Sequence, residues 1–104
     1  MSTSERDPAD EPSHSTPIEH AMGPITAAEL RSIGIDSVEK VRDMGWREVF
    51  LLWIEACPER INLNAAVSLV GAERGVSWLK VAPADKDRAR AVVEGLRRAR
   101  RGRW

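Results

Sequence analysis

Residues 45–75 read GWREVFLLWIEACPERINLNAAVSLVGAERG, and this stretch decides the fold. It holds two apolar stripes of helical period separated by a proline. In the first, Val49, Phe50, Leu52, Trp53 and Ala56 make a broad apolar face, which predicts a helix over about 46–56. Pro58 ends it, because proline disfavours helical geometry in the residue before it. Asn62 then offers a side-chain oxygen to the unpaired N–H groups of a new helix start. Leu63, Ala66, Val67 and Val70 recur at i, i+3, i+4 and i+7, predicting a helix over about 63–74 closed by Gly75. Gly71 is small enough to let a neighbouring helix approach closely.

Working outward, the N-terminal side carries a turn at Met22-Gly23-Pro24. Thr26-Ala27-Ala28-Glu29 fits a capping box, a threonine followed three residues later by a glutamate. It predicts a helix from about Ala27 to Ile33, ending at Gly34. Asp36 or Ser37 caps the next helix, whose Val38, Val41 and Met44 share one face before Gly45 stops it. On the C-terminal side, Val76, Trp78, Leu79 and Val81 are too apolar for a free connector. Pro83 suits the first position of a last helix, with Ala89, Val92, Val93 and Leu96 on its inner face. No segment alternates with a period of two, so the expected class is all-α, a compact bundle of about five short helices.

Among the first 17 residues only Met1 and Ala9 are apolar. Such a stretch cannot bury enough surface to offset the backbone entropy lost on ordering. Residues 1–21 therefore read as a disordered acidic tail rich in proline and serine. Residues 22–97 read as the folded domain, and residues 98–104 as a basic tail. The 104 residues carry 16 basic and 16 acidic side chains, a net charge of zero. That zero hides a gradient: residues 1–24 sum to −4, residues 25–86 to −1 and residues 87–104 to +5. No apolar run approaches the roughly 18–20 residues needed to span a bilayer. The N-terminus has no basic start followed by an apolar stretch, so the expected location is cytoplasmic, with no membrane partner. One cysteine cannot build a disulfide framework.

The run MGPITAAELRSIGIDSVEKVRDMG, the apolar third helix, INLNAAVSLVGAERGVSW and a proline-led last helix together resemble the C-terminal domain of the TfoX/Sxy competence-regulator family. The resemblance spans about Met22 to Leu96. It rests on Gly23-Pro24, Gly34-Ile35, Asn62-Leu63-Asn64 and Gly75-x-x-Trp78 in that order. It implies a compact helical fold with a helix-hairpin-helix, SAM-like front and a regulatory role in expressing genes for DNA uptake. Full-length members also carry a folded N-terminal domain. The first 24 residues, mostly polar, cannot form one, so the expectation is the C-terminal module standing alone.

Two surfaces could meet phosphate. A helix-hairpin-helix turn presents backbone N–H groups at a helix start, which nominates Gly23 and Thr26, although Ile25 stands where a basic residue commonly sits. Arg97, Arg98, Arg100, Arg101 and Arg103 suit phosphate geometry, but Asp87 with Arg90, and Glu94 with Arg97 and Arg98, stand at spacings that pair charges along a helix. The acidic residues 1–24 could also cover these arginines. Partners are therefore DNA, through its phosphate backbone, or another protein. Trp53 reads as core, Trp78 as a cover over the last helix joint, Trp46 as a helix-start anchor or surface aromatic, and Trp104 as a stacking candidate or an exposed terminus. His14, His20 and Cys57 have no spacing that makes a metal site, and Cys57 at a helix C-terminus is disfavoured as a thiolate. No catalytic motif is present, so neither an enzyme nor a cofactor is expected.

Overall fold

The computed structural model describes residues 16–101. Five α-helices carry them: α1 Pro24–Ser32, α2 Val38–Met44, α3 Trp46–Ala56, α4 Leu63–Arg74 and α5 Pro83–Arg101. A short 3-10 turn at Ile18–His20 precedes them, and two more at Pro58–Arg60 and Trp78–Lys80 join α3 to α4 and α4 to α5. Among the described residues there is no strand, only an isolated bridge between Pro17 and Ser37. No described helix is long and apolar enough to cross a membrane. The fold is the all-α bundle expected from the sequence.

The organising element is α4. Ala65, Ala66, Val67, Leu69, Val70, Gly71 and Ala72 are all buried, so this helix is apolar around nearly its whole circumference. Such a helix needs neighbours on several sides, and α2, α3 and α5 all pack on it. Its start is held as expected: the Ala65 N–H donates to Asn62 Oδ1 at 2.8 Å. Its end is a left-handed Gly75 at φ 73°. Between α2 and α3 the chain turns on Gly45 alone, whose φ of 89° a side chain would strain.

Gly71 makes the close approach, but to backbone rather than to a helix. A Cβ there would lie 2.8 Å from the Val76 carbonyl oxygen and 3.2 Å from the Trp78 nitrogen. With the connector backbone lying on α4, its side chains turn outward. Val76, Trp78 and Leu79 are exposed, and of the four apolar connector residues only Val81 is buried. The connector does bury something, as expected, but it does so through Val81 and not through the other three. Trp78 is about half exposed, and its indole makes no hydrogen bond among the described residues.

Two boundaries differ from the sequence reading. Residues 16–21 belong to the fold, not to a tail. The Ile18 side chain is fully buried, the Ile18 N–H donates to the Asp36 carbonyl at 3.1 Å, and the Val38 N–H donates to the Thr16 carbonyl at 2.8 Å. The Thr16 N–H and hydroxyl both donate to the Glu39 carboxylate, at 2.8 and 3.0 Å. These bonds hold the Glu39 carboxyl below its usual range. Sparse apolar content hid one isoleucine that strap and hairpin enclose together. At the other end α5 continues through Arg101, so the basic stretch begins inside a helix. The expectations for residues 1–15, Arg103 and Trp104 fall outside the described residues.

Candidate functional site

Helix α1 starts at Pro24, three residues before the expected start, with Gly23 as its N-cap. Glu29 is then not the distal half of a capping box. It turns inward and gathers three donors: Trp53 Nε1 at 2.9 Å and Arg60 Nε at 2.8 Å on Oε1, and Arg60 Nη2 at 2.7 Å on Oε2. Arg60 also stands 5.9 Å from the Trp53 ring centroid. These bonds, the Arg60 pair foremost, hold the Glu29 carboxyl at about 2 against an ordinary 4.5, overcoming the opposing effect of burial. Cys57 lies beside this group. Burial pushes its thiol up and the Glu29 and Glu59 charges add to that effect. A fixed anion with its lone pairs engaged and a thiol held protonated make a structural clasp between α1, α3 and the Pro58–Arg60 turn, not an acid–base or nucleophilic pair.

The hairpin between α1 and α2 has its own donors engaged. The Gly34 and Ile35 N–H groups donate to the Arg31 and Leu30 carbonyls, and Val38 donates to Thr16. The Lys40 N–H donates to the Ser37 hydroxyl at 3.2 Å. These backbone groups are not available to a phosphate. The turn at Gly23 and Thr26 follows a 3-10 turn rather than a helix, and Ile25 beside it is 72% exposed. Thr26 borders a small polar cleft with Arg60, Asn62 and Asn64.

Of the five arginines singled out in the sequence, Arg97, Arg98 and Arg100 are exposed on α5. Arg101 ends the helix, with its side chain outside the described atoms, and Arg103 lies beyond them. Arg97 Nη2 donates to the Ile61 carbonyl at 3.3 Å. Thr26 and Arg97 thus both border the short Arg60–Asn62 segment. The Asp87–Arg90 pair forms at 3.1 Å. The two expected Glu94 pairs do not form: Arg97 turns to Ile61 instead, and nothing in the structure explains the absence of the Arg98 pair. Arg98 and Arg100 make no ion pair with another described residue. Among the described residues no three metal-ligating side chains converge.

A larger feature escaped the sequence reading. Helices α3 and α5 both pack on α4 with a groove between them, and they run in the same direction, since Trp46 and Arg47 line it with Arg88 to Leu96 and Leu52 and Glu55 with Leu96 to Arg100. It consists of two adjoining clefts of about 450 and 570 Å3 that share Leu51 and Leu96. On the α3 wall Leu51 and Leu52 are each 37% exposed. On the α5 wall stand Ala91, Val92, Gly95, Leu96 and Ala99, with Arg88 and Arg100 at the two ends. Trp46, half-buried against the core, lines the groove at its start, and its backbone N–H donates to Glu73 Oε1 at 2.6 Å. The signal available in sequence was Leu51, an apolar residue off the buried face of α3. No protein-family model, characterised protein or solved structure matches the chain.

Proposed function

We propose that the chain is a non-catalytic regulatory binding module that captures a segment of another protein in the groove between α3 and α5. The observation that carries this reading is the groove itself: two partly exposed leucines facing a wall of small and apolar residues on a parallel helix. Apolar surface of this kind, rimmed by charge, marks a protein-interaction site in a small domain. The regulatory role comes from the resemblance of residues 22–96 to the TfoX C-terminal domain, and a cytoplasmic location belongs to the same reading. A photo-crosslinking side chain placed at Leu51 should give discrete protein adducts in cells of the source organism. The same side chain at Ala28, exposed on α1, is the control. Identical adduct patterns from the two positions, or none from position 51, would overturn the reading.

A second reading is weak, non-specific DNA contact, favoured by Arg97, Arg98 and Arg100 lying without carboxylate partners among the described residues. Three phosphate contacts give log K against log[salt] a slope of about −2.7.

A further inference from the structure

The groove has a chemical polarity that its apolar floor does not reveal. From residue 88 to residue 101 helix α5 carries six arginines against one acid, Glu94. Two of the six, Arg88 and Arg90, are paired to Asp85 and Asp87. Arg97, Arg98 and Arg100 have no carboxylate partner among the described residues. The α3 wall carries two acids, Glu48 and Glu55, against Arg47 and is slightly acidic. The α5 side of the groove is therefore basic, with Arg100 its unpaired lining arginine and Arg97 and Arg98 just outside the lining, and the α3 side is not.

The shape selects the secondary structure of an occupant. The α5 wall from Arg88 to Ala99 is about 18 Å long at 1.5 Å per residue, the length of about three helical turns. Ala91, Gly95 and Ala99 follow one another every four residues, so they form a shallow row along which another helix can approach closely. Nothing projects from Gly95, and the space above its Cα is open. Walls made of two parallel helices offer ridges and hollows to a third helix, whereas an extended segment would find no strand edge to pair with among the described residues.

From these features we propose that the groove takes an amphipathic helix of another protein, with its apolar stripe on Leu51, Leu52 and Leu96 and acidic residues along the edge facing α5. This inference rests on the interaction reading above and adds the chemistry of the partner. Helix-in-groove recognition anchors through apolar residues at i, i+3, i+4 and i+7, and the unpaired arginines then decide which flanking charges are accepted.

The test uses the whole chain and two labelled helical peptides of about 14 residues, with identical leucines at i, i+3, i+4 and i+7. One carries glutamates along the flank that faces α5 and the other carries lysines there. Fluorescence anisotropy should show saturable binding of the acidic peptide and at least about tenfold weaker binding of the basic one, with the gap narrowing between about 50 and 300 mM salt as exposed charges are screened. Gly95→Glu adds a side chain in open space, so the fold survives while the groove is obstructed and its charge opposed. It should abolish binding of the acidic peptide, whereas Gly95→Ala should leave it nearly unchanged. Equal binding of the two peptides, lost in Gly95→Glu, would overturn the acidic partner and leave the groove reading standing. Binding to neither would overturn the inference, with the crosslinking experiment still deciding the reading beneath it. Binding of the acidic peptide that Gly95→Glu does not weaken would place the contact on the arginines outside the groove and overturn the inference. A random DNA duplex serves as the competing arm. If it binds and is displaced by salt alone, while the acidic peptide does not bind, α5 is a phosphate-contacting helix instead.

Discussion

Glu29 joins parts of the chain that lie far apart in sequence: Trp53 is 24 residues away and Arg60 is 31. Its side chain is about one-fifth exposed, so the carboxylate needs the donors that surround it. Replacing it as Glu29→Gln removes the charge that Arg60 meets, and this should cost about 1–3 kcal/mol near neutral pH. The pH dependence follows from the direction of the shift. A carboxyl held at about 2 when folded, against an ordinary 4.5, contributes its full stabilisation above about 4.5. That contribution is lost as the pH falls from there toward 2. Urea midpoints of the two proteins should therefore differ near pH 7 and converge in acid, while midpoints that fall in parallel would remove Glu29 as the group responsible. Sequence could nominate Trp53 as core, since it sits in the α3 stripe. It could not find the partner of Trp53, because Thr26 and Glu29 satisfy a local capping pattern. The long-range arginine outcompeted that pattern.

At the level of elements, two helical glycines predict opposite outcomes. A Cβ at Gly71 meets connector backbone at 2.8 Å, so Gly71→Ala must push α4 and residues 76–78 apart, at a cost of about 1–3 kcal/mol. A Cβ at Gly95 meets nothing within 4 Å. Gly95→Ala should therefore gain about 0.5–1 kcal/mol from the lower flexibility of the unfolded chain. Thermal midpoints of the pair decide it: the first should fall and the second rise, and a shared sign would contradict the packing described for one of them. The sequence made the elements themselves legible. Asn62, Gly75, Pro58 and Pro83 are local punctuation, and each bounds a helix where it was expected. What sat on Gly71 was not legible, because a small residue announces a close neighbour without naming it. The groove was hidden for a related reason. Leu51 and Leu96 lie on different helices, and only the packing of both on α4 sets them side by side.

The whole molecule is an arrangement around one enclosed helix, with a strap at one end and a charged rod at the other. Thr16–Ile18 covers the α1–α2 hairpin, so the folded unit begins six residues before the boundary drawn at Met22 from composition. With α2, α3 and α5 around it, α4 has almost no face of its own toward water. Its amide hydrogens can meet solvent only when the whole bundle opens, whereas α5 beyond Leu96 has exposed side chains on every described residue and can fray alone. Deuterium uptake should therefore sort the chain into a slow interior at residues 66–72 and a fast end from Arg97 onward. Early labelling of α4 would show that the bundle opens piecemeal. The same clock reads occupancy. A helix seated in the groove would slow the fast class directly by holding the last turns of α5, and the slow class only through the added stability of the bound state. Two exchange rates from one unlabelled sample would then separate contact with α5 from stabilisation of the bundle.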